Sequence, residues 1–237
     1  MEIQQAARLA LLTGEILLGN GAETYRIEET VASVCRLYGF EGECLALSNG
    51  IVINLSAPGT AAYTCMTKAE EKRVDLYRIE LTNAFARDSE NGLLSFEQAQ
   101  KKLLAIKNSI TFSYFVRVFA ACMTGLIYTL FFGGTWADCT AAAVVCCAVY
   151  VLLQGIQHIG LFGFLQNFLA GLLIGFGSLA AAWLPFGVQT HNVITGCIMI
   201  LIPGVVLTNG VKDIMYGNFA AGVSKFFEAL MVIAAVG

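Results

Sequence analysis

The spacing of apolar positions changes character once along this chain, near Phe112. Before that point the apolar residues are periodic; after it they run almost continuously. The stretch "IQQAARLALLTGEILLG" carries a helical stripe, and Gly19-Asn20-Gly21 supplies residues that tolerate positive φ at a helix end. A second helix is predicted from about Glu23 to Tyr38, with Ile27, Val31, Val34 and Tyr38 on one stripe and Gly39 as its stop. "CLALSNGIVINLS" alternates about Asn49-Gly50, a strong hairpin signal. "APGT" turns the chain again and "AAYTCMT" makes a third strand. A helix near Glu70–Arg87 is expected to turn Val74, Tyr77, Leu81 and Ala84 or Phe85 inward. Ser95 with Gln98 forms a capping box for a last helix, Phe96 to about Asn108. Residues 1–111 thus read as a small α/β domain.

Beyond it, the pattern predicts five spans: 112–132, 136–153, 161–183, 189–209 and 218–236. Each approaches the roughly 20 residues that cross about 30 Å of hydrocarbon. The expected fold is an α-helical integral membrane protein of about five transmembrane helices, with an N-terminal cytoplasmic α/β domain. Residues 112–237 form its transmembrane bundle. Lys101, Lys102, Lys107 and Arg117 crowd the approach to the first span, so the positive-inside rule places the N-terminal domain in the cytoplasm. Alternation then puts "QGIQH" and a Lys212–Asp213 loop inside, and "GGTW", "LPFG" and the C-terminus outside. No internal repeat is visible.

Composition sharpens the division. Of 237 residues 57% are hydrophobic and 13% charged, against about 25% charged in soluble domains. Residues 1–114 hold 11 of the 14 Lys and Arg and 14 of the 17 Asp and Glu. The net charge of −3 comes without a basic patch, which argues against nucleic acid as a partner. Glu2, Arg8 and Glu15 interrupt the first apolar run, unlike a secretory signal. The eight cysteines show no metal-ligand spacing and read as free thiols packed as small hydrophobes. No nucleophile–base set and no phosphate loop appear, so neither an enzyme nor an ATP-driven pump is indicated, and no metal or cofactor is implied.

The chemistry therefore rests on polar residues within the spans, which must face the bundle interior or water. Pro203 removes a backbone hydrogen bond and Gly204 eases bending, so the fourth span is expected to break there. A plain kink would need nothing more, but Thr208, Asn209 and Asp213 follow closely. Broken helices with nearby polar groups build the midplane sites of secondary transporters. In the fifth span Lys225 and Glu228, three apart, share a face and could pair. Glu228 lies about ten residues in, near mid-membrane at 1.5 Å per residue. Lys225 is the best available cation for a solute carboxylate, and Asp213 and Glu228 offer carboxylates that can take and release protons. Gln166 and Asn167 in the third span could bond a neighbouring helix or a solute. Gly171 and Gly175 suggest close helix packing. Asp138 reads as a cap of the second span, and His191 and Asn192 as outer loop.

Three stretches carry a family resemblance: "LLGNGAETYRIEETVASVCRLYGFEG", the strands around "GIVINLS", and "IPGVVLTNGVKDIMYGNFAAGVSKFFEAL". Together they resemble the threonine/serine exporter (ThrE) family, in its shorter, YjjP-like half-transporter form. The resemblance implies a bacterial plasma (inner) membrane protein with about five spans. It implies export of small metabolites, threonine and serine or succinate, driven by the proton motive force. It also implies a small YjjB-like membrane partner or a homo-oligomer, since five spans make half a transporter. The motif positions it points to are Pro203, Gly204, Asn209, Asp213 and Glu228, with Lys225 where the family pattern has Arg. The alternative reading is a membrane-anchored sensory or regulatory domain with the spans as scaffold. In that case the polar groups would pair among themselves and leave no cavity.

Overall fold

The computed structural model describes residues 1–69, 74–88, 94–109, 112–157 and 160–237. They form two compact units, one of residues 1–111 with 205–226, the other of 112–204 with 227–237.

The first unit is mainly helical around a small antiparallel sheet. Helix α1 (Ile3–Gly19) and α2 (Thr24–Leu37) precede β1 (Glu41–Ala46), β2 (Gly50–Ala57) and β3 (Thr60–Lys68), in the order β1-β2-β3. Helices α3 (Leu76–Asp88) and α4 (Phe96–Lys107) follow. Helix α1 is buried on two sides. Ala6, Ala10 and Leu17 join Ile27, Val31, Ile51, Ile53 and Leu55, while Leu9 and Ile16 join Phe85, Ala99 and Leu103. Burying each such large side chain contributes about 1.5–3 kcal/mol. Gly21 and Gly39 end α1 and α2 with φ of 82° and 83°, where a Cβ would be strained. The predicted capping box holds: Ser95 Oγ accepts from Gln98 N–H at 3.4 Å and Gln98 Oε1 from Ser95 N–H at 3.1 Å.

Two expectations change. The helix predicted near 70–87 starts at Leu76, because Asp75 Oδ1 accepts the N–H groups of Tyr77 and Arg78, each at 3.1 Å. Val74 and Tyr77 are consequently exposed, while Thr82, Phe85 and Ala86 turn inward; residues 70–73 lie outside the described residues. The hairpin turns at 47–49, closed by Leu47 N–H on Gly50 O at 2.8 Å. Gly50 is a strand residue, needed because a Cβ there would sit 2.8 Å from Thr67 O of β3.

In the second unit, α5 (Tyr114–Phe131), α6 (Trp136–Gln157), α7 (Gly163–Ala182) and α8 (Thr190–Ile198) pack with the end of α10 (Phe219–Val236). The core mixes alanine and cysteine with branched aliphatic residues. Ala142, Val145 and Cys146 meet Ala170, Ile174, Val193 and Cys197. Gly171 allows the approach of Val236, whose carbonyl would lie 3.0 Å from a Cβ, whereas a Cβ at Gly175 meets nothing within 4 Å. Among the described residues four helices, α5, α6, α7 and α10, are long and apolar enough to cross a membrane. The fourth predicted span is not one helix: α8 stops at Ile198 and α9 (Gly204–Met215) begins after Pro203. Asp213 lies in this helix, not in a loop. Proline lacks the N–H that would continue α8, so the chain turns through 199–203. His158 and the end of "QGIQH" lie outside the described residues.

Candidate functional site

The first unit brings three sequence-predicted residues, Asn209, Asp213 and Lys225, onto the turn between α1 and α2. Helix α2 begins without a cap of its own. Its N-cap residue, Glu23, makes no side-chain capping bond and instead accepts from Lys212 Nζ at 2.7 Å and pairs with Arg26 Nε at 2.8 Å. The first N–H groups of a helix need partners, and here Asp213 supplies one. Thr24 N–H donates to Asp213 Oδ1 at 3.0 Å, and the Thr24 hydroxyl donates to Oδ2 at 2.7 Å. Lys225 Nζ donates to the same Oδ2 at 2.7 Å and to Thr24 Oγ1 at 3.0 Å.

The cluster is closed to solvent: Asp213 is 0%, Thr24 1% and Lys225 8% exposed. Among the described residues Lys225 is the only buried Lys or Arg. A buried pair is retained only with good geometry and further hydrogen bonds to the charges, and both are present. Asn209 Nδ2 donates to Gly21 O at 2.8 Å, and Tyr25 stacks on Tyr216 with ring centroids 4.5 Å apart. The two helices that carry Asp213 and Lys225 cross closely. A Cβ at Gly222 would lie 2.7 Å from Gly210 O.

Thr208 is on α9 and exposed. The remaining predicted residues belong to the second unit. Pro203 and Gly204 form the break between α8 and α9, and Glu228 is exposed on α10. Gln166 Nε2 donates to Leu161 O at 2.5 Å and Asn167 Nδ2 to Gly163 O at 3.0 Å, so both amides bond the backbone at the start of their own helix.

Sequence reasoning missed Thr24, which had been read only as part of a helix start. The signal was available: Glu is a weak N-cap type compared with Ser, Thr, Asp or Asn, which leaves α2 in want of a distant partner.

Asp138 caps α6 as expected, accepting from Thr135 N–H at 2.8 Å. It also does more. Fully buried, it accepts from Gln189 N–H at 2.6 Å and Asn192 Nδ2 at 2.9 Å, and so ties the starts of α6 and α8 together. Asn192 and His191 are therefore helical, not loop. All eight cysteines are free; burial pushes the Cys35 and Cys44 thiols up to about 11 and about 12, which suits packing and not nucleophilic chemistry.

Long apolar helices packed around a shared helical core define an α-helical membrane protein. The chain belongs to the ThrE family, described as "Putative threonine/serine exporter", which matches residues 8–237. Among curated proteins it is 21% identical to the pheromone-regulated membrane protein 10 of Yarrowia lipolytica, over 97% of this chain and 19% of that protein. The proteins of the same name from Kluyveromyces lactis and Eremothecium gossypii are each 20% identical, over 97% of this chain and 25% and 32% of their own lengths. The chain thus spans a third or less of these relatives. No solved structure matches it.

Proposed function

We propose that the chain is a subunit of a secondary exporter of small carboxylate-bearing metabolites, such as threonine and serine or succinate, driven by the proton motive force. In this reading it sits in a bacterial inner membrane with residues 1–111 in the cytoplasm. It uses about five crossings, counting the α8–α9 pair as one, and completes the transporter with a small YjjB-like subunit or further copies of itself. The observation that carries the reading is the interrupted α8–α9 span, supported by the family membership. A helix break frees backbone carbonyls to act as ligands, something a mere anchor has no need of.

One observation favours the alternative of a membrane-anchored regulatory domain. Asn209, Asp213 and Lys225 are engaged with the α1–α2 turn, the mutual pairing expected of a scaffold. Efflux from preloaded proteoliposomes separates the two readings. Glu228→Gln keeps shape and removes one titratable charge at an exposed position, so an exporter should lose proton-coupled efflux at matched expression. Wild-type efflux in this variant removes Glu228 from the site. Absence of efflux of any of the three solutes by the native chain, with and without a small partner subunit, favours the regulatory reading. Cysteine accessibility that placed residues 1–105 outside would overturn the topology.

A further inference from the structure

The outer face of the small sheet changes polarity along its strands. Glu43, Asn54 and Thr64 lie side by side across β1, β2 and β3, and the next row on that face is Leu45, Val52 and Met66. Beyond that row, at the end closed by the 47–49 loop, come Leu47 and Lys68. The apolar end stands open: Met66 is 78% and Leu45 56% exposed, and Leu47 is exposed as well. Glu41 and Glu43, toward the other end of β1, are also exposed. One end of this face is therefore apolar and the other acidic.

The apolar end is the end that meets α10. The Ser224 hydroxyl donates to Ser48 Oγ of the loop at 3.0 Å. Helix α10 has 18 residues, about 27 Å at 1.5 Å per residue, against about 30 Å of hydrocarbon. It has no length to spare, so a crossing uses all of it. Ser224 lies only about 8 Å along the axis from its first residue, Phe219. A loop bonded to Ser224 is thus held at the level where the helix enters the bilayer. We propose that the loop end of the sheet rests in the membrane surface, with Leu45, Leu47 and Met66 against acyl chains and Lys68 beside lipid phosphates. The partner is a phospholipid surface, because the polarity changes in the direction a bilayer requires. Apolar side chains lie level with the span, and Glu43 and then Glu41 lie farther from it, in water. The seating rests on α10 as a crossing helix and holds for an exporter and a regulatory domain alike.

The test is fluorescence quenching by lipid. The full chain carrying Trp136→Phe and Trp183→Phe, in phosphatidylcholine vesicles, receives one tryptophan at an exposed position, Met66→Trp or Glu41→Trp. Phospholipids brominated on the acyl chains quench the tryptophans they touch. The expected result is that Met66→Trp loses most of its emission and is shifted to the blue, while Glu41→Trp emits as in water and is not quenched. Water-like, unquenched emission from Met66→Trp overturns the proposal, as does equal quenching at both positions. A blue shift without quenching also overturns it, since a second copy or another protein would then cover the patch. Should the tryptophan variants not fold, the native chain decides. Met66 is more exposed than Met1, 78% against 46%, so in water peroxide should oxidise it the faster. Slower oxidation of Met66 than of Met1 in vesicles, read by mass spectrometry, supports the seating, and faster oxidation refutes it.

Discussion

Lys225 and Asp213 pair at 2.7 Å, and both are buried. Breaking such a pair by removing one partner costs about 3–5 kcal/mol, whereas replacing both with well-packed apolar groups can be close to neutral. Asp213→Asn should therefore destabilise the chain by about that amount. The double variant Asp213→Leu/Lys225→Met should recover most of it, as measured by thermal unfolding in detergent. A single variant with native stability would show that the pair is not held as described. The role of Thr24 could not be read locally, because its partner lies 189 residues away. By contrast, the Ser95–Gln98 box and the positive-φ glycines at 21 and 39 were legible, since each depends on its immediate neighbours.

Among the elements, α9 and α10 meet through glycine. A Cβ at Gly222 would press on both Gly210 O and the Ile214 backbone, at 2.7 and 2.8 Å. Gly222→Ala should cost about 1–3 kcal/mol as overpacking, while Gly175→Ala, facing open space, should be tolerated; unfolding midpoints compare them directly. The break before α9 has a separate signature. Pro203→Ala restores a backbone N–H but leaves Gly204, so efflux should slow less than in Glu228→Gln. An efflux rate as low as that of Glu228→Gln would show that the proline itself holds the break open. The break was legible because proline forbids the bond that a continuing helix needs. The hairpin loop was misplaced because Gly50 answers to the neighbouring strand and not to the turn.

For the whole molecule, the first unit is discontinuous in sequence, joining residues 1–111 to 205–226. Expressed alone, residues 1–111 lack the carboxylate that receives the Thr24 N–H. Hydrogen exchange at the start of α2 should be much faster in that fragment than in the full chain, while α1 and β2, buried among themselves, keep more of their protection. Equal protection at Thr24 in both would mean that the cap is dispensable. The apolar runs announced the membrane helices; they could not announce which of them would end against the N-terminal helices, because that depends on side chains meeting across most of the chain.

The separation of Thr24 from Asp213 has a consequence for biosynthesis. At roughly 5–20 residues per second, a separation of 189 positions takes about 10 to 40 s to emerge. Throughout that interval the start of α2 has left the ribosome without its cap. The N-terminal unit can reach its final form only after the intervening helices have been made. A defect in inserting those helices would then surface as a folding fault at the opposite end of the chain.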